Sequence, residues 1–435
     1  MSASSAPGRR SVPLIAALCL AVSACSGTTH AATPTPSSHA TSADAGGAFQ
    51  PTAADLRGLR HLLTTRAQAV LHHDRQAFLA TVDDRSTHLV DAQRTLYQNL
   101  AQLPVASLAY VPDTSTFLVP AAVAGSDPTL RPFVIEQLRL RGTSQAPISN
   151  VVDETFVRRQ GHWLLGAESA PDPSDSGDTS DERPWYGGPI AVRTDGPLTV
   201  LVDSSRASTL PNLTRGIADD IDVDASLLGV SSHHDILVDA TSNGTSTSFS
   251  TLSHEKAGAV TFRLRHTNRS GDTYLRSAGA AIKVNPRDAT RMASSTPLLR
   301  HELTHFLLFD YIGSSPKWLS EGVATWVQYY PDDFGALRLR PALYRELDQA
   351  DHELPSVGVF NYDPDVHYLI AQAAVTWLVN HYGVPRLLDL MRAYQKGYRD
   401  ANVDALTPRL LHQVYGISQH QLVDGTFALL ATFQH

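Results

Sequence analysis

The sequence predicts an α+β protein with two folded blocks. In each half of the chain, stretches with strand-like alternation lie beside stretches with helical spacing, and the last third is helical by pattern. With 435 residues, of which 42% are hydrophobic and 18% charged, the chain can bury a core in each block. Its 35 basic and 43 acidic residues give a net charge of −8, so no nucleic-acid partner is expected.

The first 50 residues predict an export signal and a tether. An apolar run at 14–22 follows two arginines and is too short for a permanent membrane helix, which needs about 20 apolar residues. The string VSAC at its end resembles a bacterial lipobox, which implies a signal peptide over 1–24 and a lipid on Cys25. We therefore expect a Ser/Thr/Ala/Pro-rich tether over 25–50 and an extracytoplasmic protein, lipid-anchored to the bacterial cell membrane. An ordinary signal peptide with a bystander Cys25 is the alternative.

The first block, residues 51–170, is predicted to open with a helix and to continue as an antiparallel sheet. Thr52 is the expected N-cap, with Asp55 three residues later and leucines at helical spacing beyond it. Strands are predicted at 107–111, 133–140, 151–157 and 162–165. The string TFVRRQGHWLLG resembles the closing hairpin of nuclear transport factor-like domains, which implies a cone-like fold. Its interior is expected to be either a ligand pocket or a filled core that serves as a spacer.

An acidic, Pro- and Ser-rich stretch, PDPSDSGDTSDERP, predicts a linker over residues 171–192. The second block, 193–435, is predicted to begin with a small sheet around one helix and to continue as helices. Its predicted strands are 198–202, 236–240, 259–264 and 280–284, and its predicted helices are 213–228, 298–309, 319–327, 368–381 and 410–414.

One string in the second block carries metal chemistry. His301-Glu302-Leu303-Thr304-His305 is an H-E-x-x-H motif inside a segment with helical spacing. At about 100° per residue, the two histidines lie about 40° apart around the helix and one turn apart along it, so both imidazoles can reach one ion. Glu302 projects between them, where it can hold a water and accept its proton. The motif predicts one Zn²⁺ per chain, with His301 and His305 as ligands.

The third ligand follows downstream. Leu308 and Tyr311 stand where a metzincin would have Gly and a third His, which excludes that class. Asp310 lies about 140° round the helix from the second histidine and would face away from a shared ion. Glu321 is better placed, because the string PKWLSEGVATW predicts a second helix after a Gly-Ser turn.

The strings HELTH and WLSEGVATW resemble the gluzincin metallopeptidases, over about residues 280–385. The resemblance implies that Glu321 completes the zinc ligands, that Glu302 is the general base, and that the substrate is a peptide or protein. Thermolysin-like enzymes have a different glutamate-helix motif, so their substrate preference is not transferred. In gluzincins an edge strand before the zinc helix typically pairs with extended substrate, and the segment 280–284 is the expected edge strand.

A peptidase also needs a donor for the oxyanion of the tetrahedral intermediate, typically Tyr or His in this clan. Tyr368 and His367 are the candidates by position, with Tyr368 taken as the catalytic one. Tyr362 and His381 are the alternatives. Thr325, one turn after the predicted glutamate ligand, is expected either to support a ligand or to be an ordinary helix hydroxyl.

The leading interpretation is a zinc metallopeptidase outside the cytoplasm, because the H-E-x-x-H motif and a plausibly placed Glu321 agree. The sequence has no G-x-S-x-G, G-x-x-x-x-G-K or C-x-x-C motif, so serine and cysteine catalysis are not supported. The alternative is a non-catalytic surface lipoprotein that binds zinc or a partner through a peptidase-like scaffold. A third interpretation assigns the function to a ligand-binding cone in the first block. The sequence predicts no oligomeric state.

Overall fold

The computed structural model describes residues 51–117, 127–169, 183–243, 258–268, 274–285, 297–331, 341–356, 358–361, 364–397 and 402–433. The predicted signal peptide, Cys25 and the tether over 25–50 lie outside these residues, as do residues 171–182 of the predicted linker. The described part is mixed α+β, which confirms the predicted class. Within it, no helix combines the length and apolar character that crossing a membrane requires.

The first block consists of three helices followed by a five-stranded antiparallel sheet. Its elements are α1 (Ala53–Leu71), α2 (Arg75–Leu79), α3 (Thr87–Leu100), β1 (Val105–Phe117), β2 (Thr129–Leu130), β3 (Pro132–Leu140), β4 (Ile148–Arg159) and β5 (His162–Ser169). The strand order is β1-β3-β4-β2, and β5 also pairs with β4. Thr52 and Asp55 form a reciprocal capping box at the start of α1, which confirms the predicted N-cap.

The interior of the first block is partly polar. The guanidinium of Arg66 donates to Thr81 at 2.9 Å and to Gln93 at 2.6 Å, entirely out of contact with solvent. Glu154 is fully buried on β4, and neither of its carboxyl oxygens has a hydrogen-bond partner. Burial raises the pKa of Glu154 to about 8, so this carboxyl holds a proton at neutral pH.

The second half of the predicted linker is folded. Trp185 is completely buried, and its indole Nε1 donates to Oε1 of Glu136 at 3.0 Å. The side chain of Asn99 on α3 donates to the carbonyl oxygen of Trp185 at 2.9 Å and accepts from the amide of Ile190 at 3.1 Å. Residues 183–192 therefore pack against the first block and lead directly into the next strand.

The second block begins with a mixed five-stranded sheet. Its elements are β6 (Ile190–Asp195), β7 (Leu198–Asp203), α4 (Leu210–Leu228), β8 (Ile236–Ala240), β9 (Ala259–Thr267) and β10 (Tyr274–Val284), with a 3₁₀ turn at Ser204–Thr209. The order is β6-β7-β8-β10-β9, in which β8 pairs in parallel with β7 and β10 while β6 and β9 run antiparallel to their neighbours.

This order corrects one prediction. The strand that contains 280–284 is not an edge strand, because β10 pairs with β8 on one side and β9 on the other. The reason is that β9 and β10 form an antiparallel pair and β10, the later strand, takes the inner place beside β8. The outer strand on this side of the described sheet is β9.

The remaining α-helices among the described residues follow the second sheet. They are α5 (Pro297–Leu307), α6 (Phe309–Ile312), α7 (Lys317–Tyr329), α8 (Pro341–Leu347), α9 (Pro364–Tyr382), α10 (Val384–Gly397), α11 (Thr407–Tyr415) and α12 (Gln419–Ala431). The predicted helix over 298–309 is thus two helices, with α5 ending at Leu307. The helices α7 and α9 pack very closely, since a Cβ added to Gly322 would lie 2.4 Å from the carbonyl oxygen of Ala371.

Candidate metal centre

The helices α5 and α7 together carry the three predicted ligands. The helix α5 presents His301 and His305 one turn apart, and α7 presents Glu321 toward them. All three side chains are almost completely buried, with at most 2% of each exposed. Buried ionisable groups are withdrawn from water, so they need hydrogen-bond partners, charge partners or a metal ion. The three side chains of this cluster therefore need such a partner.

The three donor atoms form a nearly equilateral triangle. The Nε2 atoms of His301 and His305 lie 3.2 Å apart, and each lies 3.3 Å from Oε2 of Glu321. Two ligands bound at zinc distances with a tetrahedral angle between them would lie about 3.3 Å apart. The cluster can therefore hold a metal ion, and its edges have the length that a four-coordinate ion requires.

The tautomer of His301 favours this role. Its Nδ1 lies 3.1 Å from the amide oxygen of Gln328, which can only accept, so Nδ1 carries the hydrogen and Nε2 presents a lone pair. The lone pair on Nε2 of His301 and the Oε2 atom of Glu321 thus both lie close to Nε2 of His305. Such acceptors repel each other unless a proton on the second imidazole or a metal ion lies between them.

Glu321 uses its two oxygens differently. While Oε2 faces the imidazoles, Oε1 accepts a hydrogen bond of 2.8 Å from Nζ of Lys317, one turn earlier on α7. Burial alone would raise the pKa of Glu321, but Lys317 and the two imidazoles outweigh it and hold that pKa well below its usual value. The lowered pKa favours the ionised carboxylate of Glu321, which is the form that can bind a cation.

Glu302 points from α5 toward the sheet. Its Oε2 accepts a hydrogen bond of 2.6 Å from the hydroxyl of Thr261 on β9, and its Oε1 is buried without a hydrogen-bond partner. It is not one of the three clustered donors. A buried carboxylate oxygen without a donor, beside a candidate metal site, fits a group that would hold a water there.

Tyr368 lies next to the cluster. Its ring centroid is 6.1 Å from that of His301, and the side chain is half-buried near the first turns of α9. Burial, the negative charges of Glu321 and Glu302, and a hydrogen bond to Glu321 raise the pKa of Tyr368 well above its usual value. The phenol therefore keeps its proton and remains a hydrogen-bond donor.

The other candidates lie elsewhere or act differently. His367 faces Phe360, with ring centroids 6.0 Å apart. His381 is exposed in the last turn of α9, about 20 Å along the helix from Tyr368, so the structure does not bring it to the cluster. Thr325 donates to the backbone oxygen of Glu321 at 2.7 Å, and Tyr362 lies outside the described residues.

Arg300 links the two ligand-bearing helices. It donates to the buried Asp224 of α4 at 2.8 Å and to the carbonyl oxygen of Tyr330, just after α7, at 3.0 Å. Because Arg300 immediately precedes His301, these bonds fix the start of the motif relative to the end of the glutamate helix.

The chain matches no protein-family model. Comparison with the curated proteins and with the solved structures also gave no match. The function must therefore be inferred from the chemistry of the site itself.

Sequence inspection missed Lys317 and Gln328, which contact the cluster, and Thr261, which contacts Glu302. Lys317 and Gln328 are four residues before and seven residues after Glu321, so they share its helix face and helical spacing could have indicated both. Thr261 lies forty residues before the motif and reaches Glu302 only through the tertiary fold, so no local pattern indicates it.

A groove of about 440 Å³ lies away from this cluster, between α10 and α11. Its walls include Arg386, Lys396 and Arg409, which are exposed. The groove shares no residue with the cluster of His301, His305 and Glu321.

Proposed function

We propose that this chain is a zinc metallopeptidase of gluzincin type. The single observation that carries the proposal is the buried triangle of His301 Nε2, His305 Nε2 and Glu321 Oε2, with edges of 3.2–3.3 Å. Two imidazoles and one carboxylate are a donor set typical of catalytic zinc, because they leave the fourth position open. Bound there, zinc would polarise a scissile carbonyl and acidify a water.

Residues of the chain would carry out proton transfer and would stabilise the oxyanion. Glu302, beside the donor triangle, accepts the proton of the attacking water and passes it to the leaving amine. Thr261 holds one oxygen of that carboxylate, and the other has no hydrogen-bond partner and can accept the proton. Tyr368 keeps its phenolic proton and donates to the oxyanion of the tetrahedral intermediate.

The strand β9 replaces β10 as the candidate substrate strand. It has no second strand partner among the described residues, and its Thr261 bonds directly to the proposed base. An extended peptide added to β9 would therefore run past Glu302, with main-chain hydrogen bonds supplying affinity.

The remaining parts of the proposal concern location and the first block. The VSAC string supports export and lipid attachment at Cys25, which would place the peptidase outside the cytoplasm. Helices followed by an antiparallel sheet support a cone-like fold for the first block. Its interior is filled by side chains such as Arg66 and Glu154, which favours a spacer or docking role over a ligand pocket.

One observation favours a second candidate, a metal-binding protein without hydrolytic activity. His301, His305, Glu321 and the neighbouring Glu302 are at most 2% exposed, so the described arrangement is closed to a peptide. In that case the ion would stabilise the packing of α5 against α7 rather than act on a substrate.

A peptide-library digest separates the two candidates. The zinc-loaded protein is expected to cleave, and chelation is expected to stop cleavage. Glu302→Gln is expected to keep zinc, measured by elemental analysis, and to lose at least about a thousandfold in turnover, while His305→Ala should lose the metal. Absence of cleavage by a stoichiometrically zinc-loaded protein would refute the peptidase and leave the metal-binding candidate.

A further inference from the structure

Lys317 occupies a position that helix electrostatics disfavours. It is the first residue of α7, where the helix dipole stabilises acidic side chains and destabilises cations. The cap before it, Pro316, offers no side-chain hydrogen bond. Some other interaction must therefore stabilise a cation there, and the 2.8 Å bond from Nζ to Oε1 of Glu321 provides it.

This pair differs from an ordinary surface ion pair. The side chain of Lys317 is 19% exposed and that of Glu321 is 0% exposed, so both charges are largely withdrawn from water. Pairs on a helix surface contribute little, whereas removing one partner of a buried pair leaves an uncompensated charge. Lys317 thus places a full positive charge in contact with this carboxylate.

The bond also restricts how Glu321 can ligate. Because Oε1 is engaged by Lys317, only Oε2 faces the two imidazoles. A metal ion in the triangle would meet one oxygen of the carboxylate, and the lysine would remain close enough to repel it. The lysine and the metal ion would therefore both interact with the single negative charge of the Glu321 carboxylate.

We propose that Lys317 is a positioning residue that stabilises the metal-free centre, makes Glu321 a one-oxygen ligand, and weakens the binding of a divalent metal. This inference rests on the metal centre of the proposed function, but it does not depend on hydrolysis. Its benefit is a ligand set that stays folded and correctly oriented before the metal arrives.

The test uses Lys317→Met, which keeps the length of the side chain and removes its charge, and Lys317→Arg, which keeps the charge. Lys396→Met, at an exposed position on α10, is the matched control. Each protein is stripped with a chelator, its melting temperature is recorded with and without zinc, and the zinc Kd is measured by competition with a chromophoric chelator.

Lys317→Met is expected to melt earlier than the wild type without metal and to bind zinc roughly tenfold more tightly, with a larger zinc-induced rise in melting temperature. Lys317→Arg and Lys396→Met should match the wild type. If Lys317→Met is soluble only with zinc, the proposal is supported. Should it fail to fold under both conditions, Lys317→Gln replaces it, with a smaller change expected in the same direction.

Unchanged or weaker zinc binding in the uncharged variant, with an unchanged melting temperature, would overturn the proposal. Zinc binding by the wild type without peptide cleavage would end the peptidase proposal and leave this one intact. If neither the wild type nor any variant binds zinc, the metal centre and this inference fail together.

Discussion

The contact between α7 and α9 at Gly322 positions the adjacent Glu321, the proposed third ligand, and adding a single methyl group tests this role. In Gly322→Ala, the new Cβ would lie 2.4 Å from the carbonyl oxygen of Ala371 and 2.8 Å from a methyl of Val375. The shortest tolerable Cβ contact is 3.0 Å, so the helices must separate by at least 0.6 Å, the difference between 3.0 and 2.4 Å. The obstacle is backbone, which cannot rotate away.

Two consequences follow for Gly322→Ala. Overpacking costs about 1–3 kcal/mol, and the better helix propensity of Ala returns about 1 kcal/mol, so a net loss of up to roughly 2 kcal/mol is expected. The displacement also exceeds the tolerance of about 0.2 Å for zinc ligand distances. Since Glu321 is the adjacent residue on α7, the zinc Kd should weaken by at least about tenfold.

Thermal unfolding followed by circular dichroism and zinc competition titration measure both effects. Gly313→Ala is the matched control, because its φ of −63° suits Ala and no atom lies within 4 Å of the added Cβ. The control should match the wild type in both assays. If Gly322→Ala is as stable as the control and binds zinc equally well, the packing argument is wrong.

Two further predictions concern single hydrogen bonds or protons. The folded-state pKa of Glu154 is raised to about 8, so its contribution to stability is complete below the unfolded value near 4.5 and is lost as pH rises toward 8. Glu154→Gln should therefore gain stability relative to the wild type between these pH values, by up to roughly 1.4 kcal/mol per pH unit. Denaturant titrations at several pH values measure the free energy of unfolding of both proteins. Parallel pH profiles of that free energy would contradict the prediction. Thr261→Val should lower kcat by roughly tenfold or more with zinc affinity unchanged, and Thr261→Ser should restore it; equal loss in both variants would count against a hydrogen-bonding role.

Local spacing predicted that His301, His305 and Glu321 converge, but it did not predict the order of the strands in the second sheet. The separation of His301 and His305 by four residues determines their geometry within one helix, so the sequence contains that information directly. The position of β10 depends on which strands pair across tens of residues, and alternation within a strand does not specify its neighbours. For the same reason Trp185 was assigned to a linker, since composition does not show that its indole reaches Glu136.

The second sheet explains why the two blocks are physically linked. Along β9, Thr261 faces α5, the helix that carries His301 and His305, while Leu264 belongs to the core of the first block. The inner strands repeat this division, since Ile282 packs with the helices of the second block and Ala281 packs with the first. The sheet is therefore buried on both faces, and a shift of the first block would be transmitted to β9. Because Thr261 bonds both the backbone and the carboxylate of Glu302, such a shift would move the proposed base, which gives the first block a structural role in holding that residue.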